Sequence, residues 1–170
     1  MALTVSSLDK AVHDRSAFDS GDAALDDFLR TKAAQHQARR VSRTFVLADD
    51  AEPSRILGYY SLSNSQVARE SLGAAEAKKL PMHPIPAVLL ARLAVHRRHQ
   101  GKRYGHWLLM DAVKRCALVG QQSGVYALLV EAKNEAAKRF YERFGFRAIE
   151  GDAMALYLPL ATALQALRPM

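Results

Sequence analysis

The sequence predicts an α/β fold, more narrowly α+β, in which helices flank a central mixed sheet. Three observations lead to it. The run PAVLLARLAV, from Pro86 to Val95, is almost uniformly apolar and too short for a free-standing helix, which suits a strand covered on both faces. A donor-rich turn, HRRHQGKRYG, follows it and opens a helical pattern. Val125 to Val130 then returns as a second apolar strand, and that order calls for a right-handed parallel crossover.

The other elements follow in chain order. Leu3 to Leu8 reads as a first strand. In SGDAALDDFL several candidate caps precede Leu25, Phe28 and Leu29, which recur at helical spacing, so a helix is expected to about Arg40. Thr44 to Ala48 and Ile56 to Leu62 read as strands joined by the polar turn DDAEPS, an antiparallel hairpin. From Gln66 to Ile85 the pattern is polar, Ala-rich and punctuated by Pro; a surface loop with room for a short helix is expected, and no core element. Beyond the central turn, Leu109, Ala112, Val113, Cys116 and Ala117 share one helix face, and Gly120 and Gly124 bracket its exit. Asn134 caps a helix carrying Ala137, Phe140, Tyr141 and Phe144 as a stripe, with Gly145 placed to stop it. Short strands near Phe146 to Ile149 and Met154 to Leu158 finish the chain.

Composition bounds the classes available. The 170 residues, 49% hydrophobic and 24% charged, suffice for one sizeable core and fall short of two ordinary domains, so a single domain over 1–170 is expected. Nine Gly, six Pro and 8% aromatics exclude collagen-like, low-complexity and wholly disordered chains. The one cysteine, Cys116, forms no internal disulfide and allows no cysteine cluster of zinc-ligand spacing, so no metal is expected and the reducing cytoplasm fits. No signal peptide and no membrane-spanning run is apparent. The formal charge of +7 favours phosphorylated or nucleic-acid partners, with positive residues gathered at Arg30 to Arg43, at Lys78 and Lys79, and from Arg97 to Arg103.

Two constellations can carry chemistry. A turn that precedes a helix exposes backbone N–H groups and the positive end of the helix dipole, and Gln100 to Gly105 has that place, with Gly101 and Gly105 allowing close approach and Lys102 and Arg103 adding charge. The spacing matches neither the P-loop nor the dinucleotide fingerprint, so nucleoside triphosphate and dinucleotide readings lose their support. The second constellation is NEAAKRFYERFGF, in which Asn134 and Tyr141 project on one side of a helix two turns apart. Both flank the same predicted parallel strand pair, and ligands of open α/β sheets bind at such carboxyl edges.

The segments LARLAVHRRHQGKRYGHWLL and NEAAKRFYERFGF resemble the acetyl-coenzyme A core of the GNAT N-acetyltransferases. RLAV, LDDFLRTKAAQHQARR and FYERFGF more narrowly resemble the GNAT toxins of bacterial toxin–antitoxin pairs, and the likeness runs from about Leu8 to Leu158. The resemblance implies a GNAT fold whose central parallel strands splay to admit acetyl-CoA. It implies that the backbone of Leu93, Ala94 and Val95 pairs with the pantetheine arm, that Gln100, Gly101, Lys102, Arg103, Tyr104, Gly105 and His106 hold the phosphates, and that Asn134 steadies the pantetheine. Arg103 stands where the family's pattern has its first glycine, and either obstructs the diphosphate or pairs with a phosphate. Tyr141 is implied beside the thioester sulfur, where a neutral phenol protonates the departing thiolate. Between Pro86 and Gln100 there is no Asp or Glu, so the expected central carboxylate is missing; His96 is a base, a relay or a loop imidazole, and an α-amine of pKa near 8 needs little help.

The toxin branch acetylates the amino acid on charged tRNA and so blocks translation. The resemblance therefore implies an aminoacyl-tRNA acceptor, met by Arg30, Arg39, Arg40 and Arg92, with Arg92 otherwise pairing with a carboxylate across the sheet. It also implies a ribbon-helix-helix antitoxin and a homodimer. A small or protein amine as acceptor, and a non-catalytic cofactor-binding or partner-binding module, are the alternatives.

Overall fold

The computed structural model describes residues 2–167. Seven strands form one mixed sheet in the order β1-β2-β3-β4-β5-β7-β6. They are β1 (Leu3–Ser7), β2 (Arg43–Asp49), β3 (Gly58–Val67), β4 (Ile85–Val95), β5 (Ala127–Glu131), β6 (Arg147–Ile149) and β7 (Asp152–Pro159). The helices are α1 (Ala23–Thr31), α2 (Ala33–Ala38), α3 (Ala74–Ala77), α4 (Tyr104–Gly120), α5 (Glu135–Phe144) and α6 (Leu160–Leu167). The chain divides into two compact units. One comprises the chain up to Ser63 with Ala91–Ala112, the other Asn64–Leu90 with the chain from Val113 on.

In the first unit the predicted hairpin forms. β1 pairs antiparallel with β2, and β2 with β3 from Arg43↔Leu62 to Leu47↔Gly58. Asp22 caps α1 by accepting the N–H of Ala24 at 3.0 Å. The helix predicted to reach Arg40 breaks at Lys32, whose φ of −124° leaves the helical region, and resumes as α2. The core beneath them is aromatic. Phe18 meets Tyr59 edge-on at 5.6 Å, Phe28 stacks on Tyr59 at 6.4 Å, and Leu29, Val46 and Ala94 fill the rest.

In the second unit the predicted crossover is present, with β4 and β5 parallel from Ala87↔Ala127 to Leu90↔Val130. β7 runs antiparallel to both β5 and β6. The segment read as a loop without core content is otherwise in the structure. It holds a one-turn 3-10 helix, Arg69–Leu72, and α3, and it buries Val67, Leu72 and Ala77. Burying a Val or Leu side chain is worth about 1.5–3 kcal/mol, enough to order a stretch without visible periodicity. Its Glu76 carboxylate accepts the hydroxyls of Tyr126 and, at 2.7 Å, Tyr157, with Arg147 3.8 Å away. α6 is a further element that the strand reading of the C-terminus omitted. Among the described residues no helix is long and apolar enough to cross a membrane, and no group of three or more His, Cys, Asp or Glu is arranged to hold a metal.

Candidate active site

In the first unit, β4 ends at Val95 and the chain makes a 3-10 turn, Arg97–His99, before α4 begins at Tyr104. The intervening turn is held from outside. Buried Asp26 accepts the Ser20 hydroxyl at 2.7 Å and its N–H at 3.0 Å, and the Ser20 carbonyl accepts the Gln100 side-chain amide at 3.0 Å. That amide also donates to the Val95 carbonyl at 3.1 Å, so Gln100 ties the end of the strand to the turn. Arg97 is engaged by Asp19 at 2.8 Å, and the hydrogen bond holds the Asp19 carboxyl below its ordinary pKa.

The turn leaves a row of donors open. Among the described residues, none of the backbone N–H groups from Gly101 to Gly105 has an acceptor, since the first turn-spanning bond of α4 is Trp107 N–H to the Arg103 carbonyl. Gly101 has φ +87° and Arg103 has φ +66°, and left-handed residues alternating with extended or helical ones aim successive N–H groups into one concavity, an anion nest. α4 adds its positive end to the same place. Lys102 sits over the turn with its ammonium 3.2 Å from Nδ1 of His99, whose ring stacks on Tyr104. Burial, helped by Lys102, lowers the His99 pKa and keeps that nitrogen an acceptor. Arg103 carries the steric strain of a position that glycine enters freely.

Three further residues of the first unit stand out: Gly58 on β3, Arg92 on β4 and His96 just after β4. Gly58, which sequence reading passed over, allows close approach: a Cβ there would lie 2.9 Å from both the Ala94 carbonyl oxygen and Leu108. A lone glycine inside a strand pattern is the signal that finds such a position. Arg92 does not make the carboxylate pair that was one of its two expected roles: its guanidinium lies over the Phe28 ring, 3.6 Å from the centroid, and has no carboxylate partner among the described residues. His96 accepts the Arg98 N–H on Nδ1 at 3.2 Å, so in the neutral ring Nε2 carries the proton and is a donor. That arrangement suits a cap better than a base.

In the second unit, α5 carries the other pair. Asn134 accepts the Ala137 N–H at 2.9 Å as the predicted cap, which leaves its side-chain amide hydrogens without an acceptor among the described residues. Gly145 closes the helix with φ +117°, a left-handed conformation that glycine adopts without strain. Tyr141 lies between Phe140 and Phe146, with ring centroids 5.2 and 5.4 Å away, and is 8% exposed. Burial pushes its hydroxyl up to about 12, and no described residue hydrogen-bonds it. It is a fully protonated phenol whose donor is open.

Of the cations predicted to meet the acceptor, Arg30 is exposed at the end of α1, and Arg39 and Arg40 are exposed at the end of α2. Arg40 has φ +60° and terminates α2, with the Val41 N–H returning to the His36 carbonyl at 2.9 Å. Arg30 and Arg92 belong to the first unit with them.

The chain is similar to one family and to three known proteins or structures. The family described as acetyltransferase (GNAT) domain matches residues 40–148, which pass through both units. A tRNA-acetylating toxin of Mycobacterium tuberculosis (strain ATCC 25618 / H37Rv) is 36% identical over 150 residues, 88% of either chain. The structure of AtaT complexed with acetyl-methionyl-tRNAfMet is 31% identical and superposes with a TM-score of 0.91 over 98% of this chain and all of that one. A tyrosine-to-phenylalanine mutant of the toxin AtaT, bound to the C-terminus of the antitoxin AtaR and acetyl-CoA, is 30% identical with a TM-score of 0.82, covering 98% of this chain and 99% of its own.

Proposed function

The chain belongs to the GNAT acetyltransferases, and we propose that it moves the acetyl group of acetyl-CoA to the α-amino group of an aminoacyl-tRNA, as the translation-blocking toxin of a toxin–antitoxin pair. The row of unpartnered N–H groups from Gly101 to Gly105 carries the donor half of this reading. It fits the coenzyme's diphosphate without needing a particular side chain. The acceptor half follows the relatives that acetylate tRNA or were crystallised with an acetylated one.

The roles then fall to named residues. The Gly101 to Gly105 amides take the diphosphate, with Lys102, Arg103, Tyr104 and His106 around them, and Gln100 shapes the turn through its two carbonyl contacts. Leu93, Ala94 and Val95 offer strand-edge groups to the pantetheine, and the free amide hydrogens of Asn134 suit a pantetheine carbonyl. Bound acetyl-CoA supplies a thioester carbonyl for the amine to attack. Tyr141 gives its proton to the leaving thiolate, a role supported by its unengaged, fully protonated hydroxyl. The amine loses its proton to water, and Tyr141 regains one from solvent. An α-amine of pKa near 8 is partly free at neutral pH, and no carboxylate is needed for it. Arg30, Arg39, Arg40 and Arg92 meet the RNA.

An antitoxin partner is part of the same proposal. We take it to be a ribbon-helix-helix protein and the toxin to be a homodimer in the cytoplasm, acting as one functional domain. Purified protein with radiolabelled acetyl-CoA, offered charged tRNA, a polyamine and a peptide panel, tests the acceptor. Label is expected in charged tRNA alone; label in the polyamine or peptides redirects the acceptor, and no transfer to any of them removes the enzyme reading.

A further inference from the structure

The loop ahead of α1 folds onto itself. The Asp9 carbonyl accepts the N–H groups of Val12 at 3.0 Å and His13 at 2.8 Å, and the Asp9 N–H donates to Nδ1 of His13 at 3.0 Å. With Nδ1 accepting, the neutral imidazole carries its proton on Nε2, and that donor has no acceptor among the described residues although His13 is only 7% exposed. The Nε2 atom is not sealed from solvent, so an incoming oxygen can accept a hydrogen bond from it. Burial lowers the His13 pKa and keeps the ring neutral.

His13 lines a cavity of about 470 Å³ that Lys10, Arg15 and Arg30 also line. None of these three cations has a carboxylate partner among the described residues, and the Arg15 guanidinium reaches the Arg30 carbonyl at 3.3 Å, which joins the loop to the end of α1. The one carboxylate in the lining, Asp14, is engaged by the hydroxyl and N–H of Ser16 at 2.5 and 3.0 Å. The balance is positive, with Lys10, Arg15, Arg30 and His13 lining one concavity.

We propose that this cavity is a phosphate site that seizes a backbone phosphate of the RNA acceptor. The inference rests on the tRNA reading and deepens it by adding Lys10, Arg15 and His13 to Arg30 as one phosphate contact. A phosphodiester offers two non-bridging oxygens to guanidinium forks and to a directed N–H, which a fixed neutral imidazole supplies without titrating. RNA is favoured over an acidic protein segment because exposed cations continue in the same unit at Arg39, Arg40 and Arg43, matching a polymer charged at every residue.

The test is the salt dependence of binding, measured by anisotropy of fluorescein-labelled total tRNA with the full chain. Lys10→Gln with Arg15→Gln is expected to weaken binding about tenfold and to lower the slope of log affinity against log salt by about 2, with Lys10→Gln alone giving about half of that change. Acetyl-CoA affinity, read by calorimetry, is expected to stay. An unchanged slope overturns the site, and so does loss of binding to a Glu-rich peptide with RNA binding intact, which would mark a protein partner. Wild-type protein that transfers no acetyl to charged tRNA overturns the underlying reading instead, and the same slopes still decide the cavity.

Discussion

In the proposed reaction two residues matter in different ways. Tyr141 is buried and its hydroxyl raised to about 12, so a raised pKa here means that the acid form persists through the whole working range. The pH dependence of transfer must then come from the amine. The rate on charged tRNA is expected to rise through about pH 7 to 8.5 as the α-amine loses its proton, and to level without an alkaline fall below pH 9. A fall in that range would point to an acid other than Tyr141. Arg103 poses the opposite problem, being a large residue in a left-handed turn position. Arg103→Gly relieves strain while adding chain entropy to the unfolded state, so stability is expected to change by less than about 1 kcal/mol. Acetyl-CoA affinity is expected to fall several-fold, because a phosphate partner is lost. Tighter binding in calorimetry would mean that the native side chain obstructs the diphosphate.

At the scale of elements, α5 is a short helix defined by its ends. Asn134→Ala removes the bond to the Ala137 N–H and is expected to cost about 1 kcal/mol in chemical denaturation, together with a raised KM for acetyl-CoA. Loss of stability with KM untouched would confine Asn134 to capping. This helix was legible in the sequence because its signals are local: a cap, a 3.6-residue stripe and a stop glycine. The face of α4 was legible for the same reason, and Leu109, Ala112, Val113 and Cys116 are fully buried. The break at Lys32 was not, since nothing in LRTKAAQHQ opposes one continuous helix. Nor was the core role of Leu72 and Ala77, which depends on Glu76 meeting Tyr126 and Tyr157 from distant strands. Among the candidate residues, the turn from Gln100 to Gly105 ahead of a helix and the helical place of Tyr141 could be read from spacing. The Phe28 seat of Arg92 and the capping by His96 could not, because both depend on side-chain directions that tertiary packing sets.

For the whole molecule, the formal charge of +7 is a statement about partners. Arg97 is engaged by Asp19 and Lys102 lies beside His99, so neither accounts for the exposed cations at Arg30, Arg39 and Arg40. Replacing Arg39 and Arg40 together is expected to weaken tRNA binding and to flatten its salt slope by about 2 while leaving acetyl-CoA affinity as it was. An unchanged slope would exclude contact there. The most direct test of acetyl transfer to charged tRNA is mass analysis of aminoacyl-tRNA from cells induced to make either the wild-type chain or Tyr141→Phe. Arrested growth with an N-acetyl group on the aminoacyl moiety is expected for the wild type, and neither for the mutant, although the mutant still folds and binds acetyl-CoA. Unmodified aminoacyl-tRNA in arrested wild-type cells, or equal acetylation by the mutant, would contradict the account.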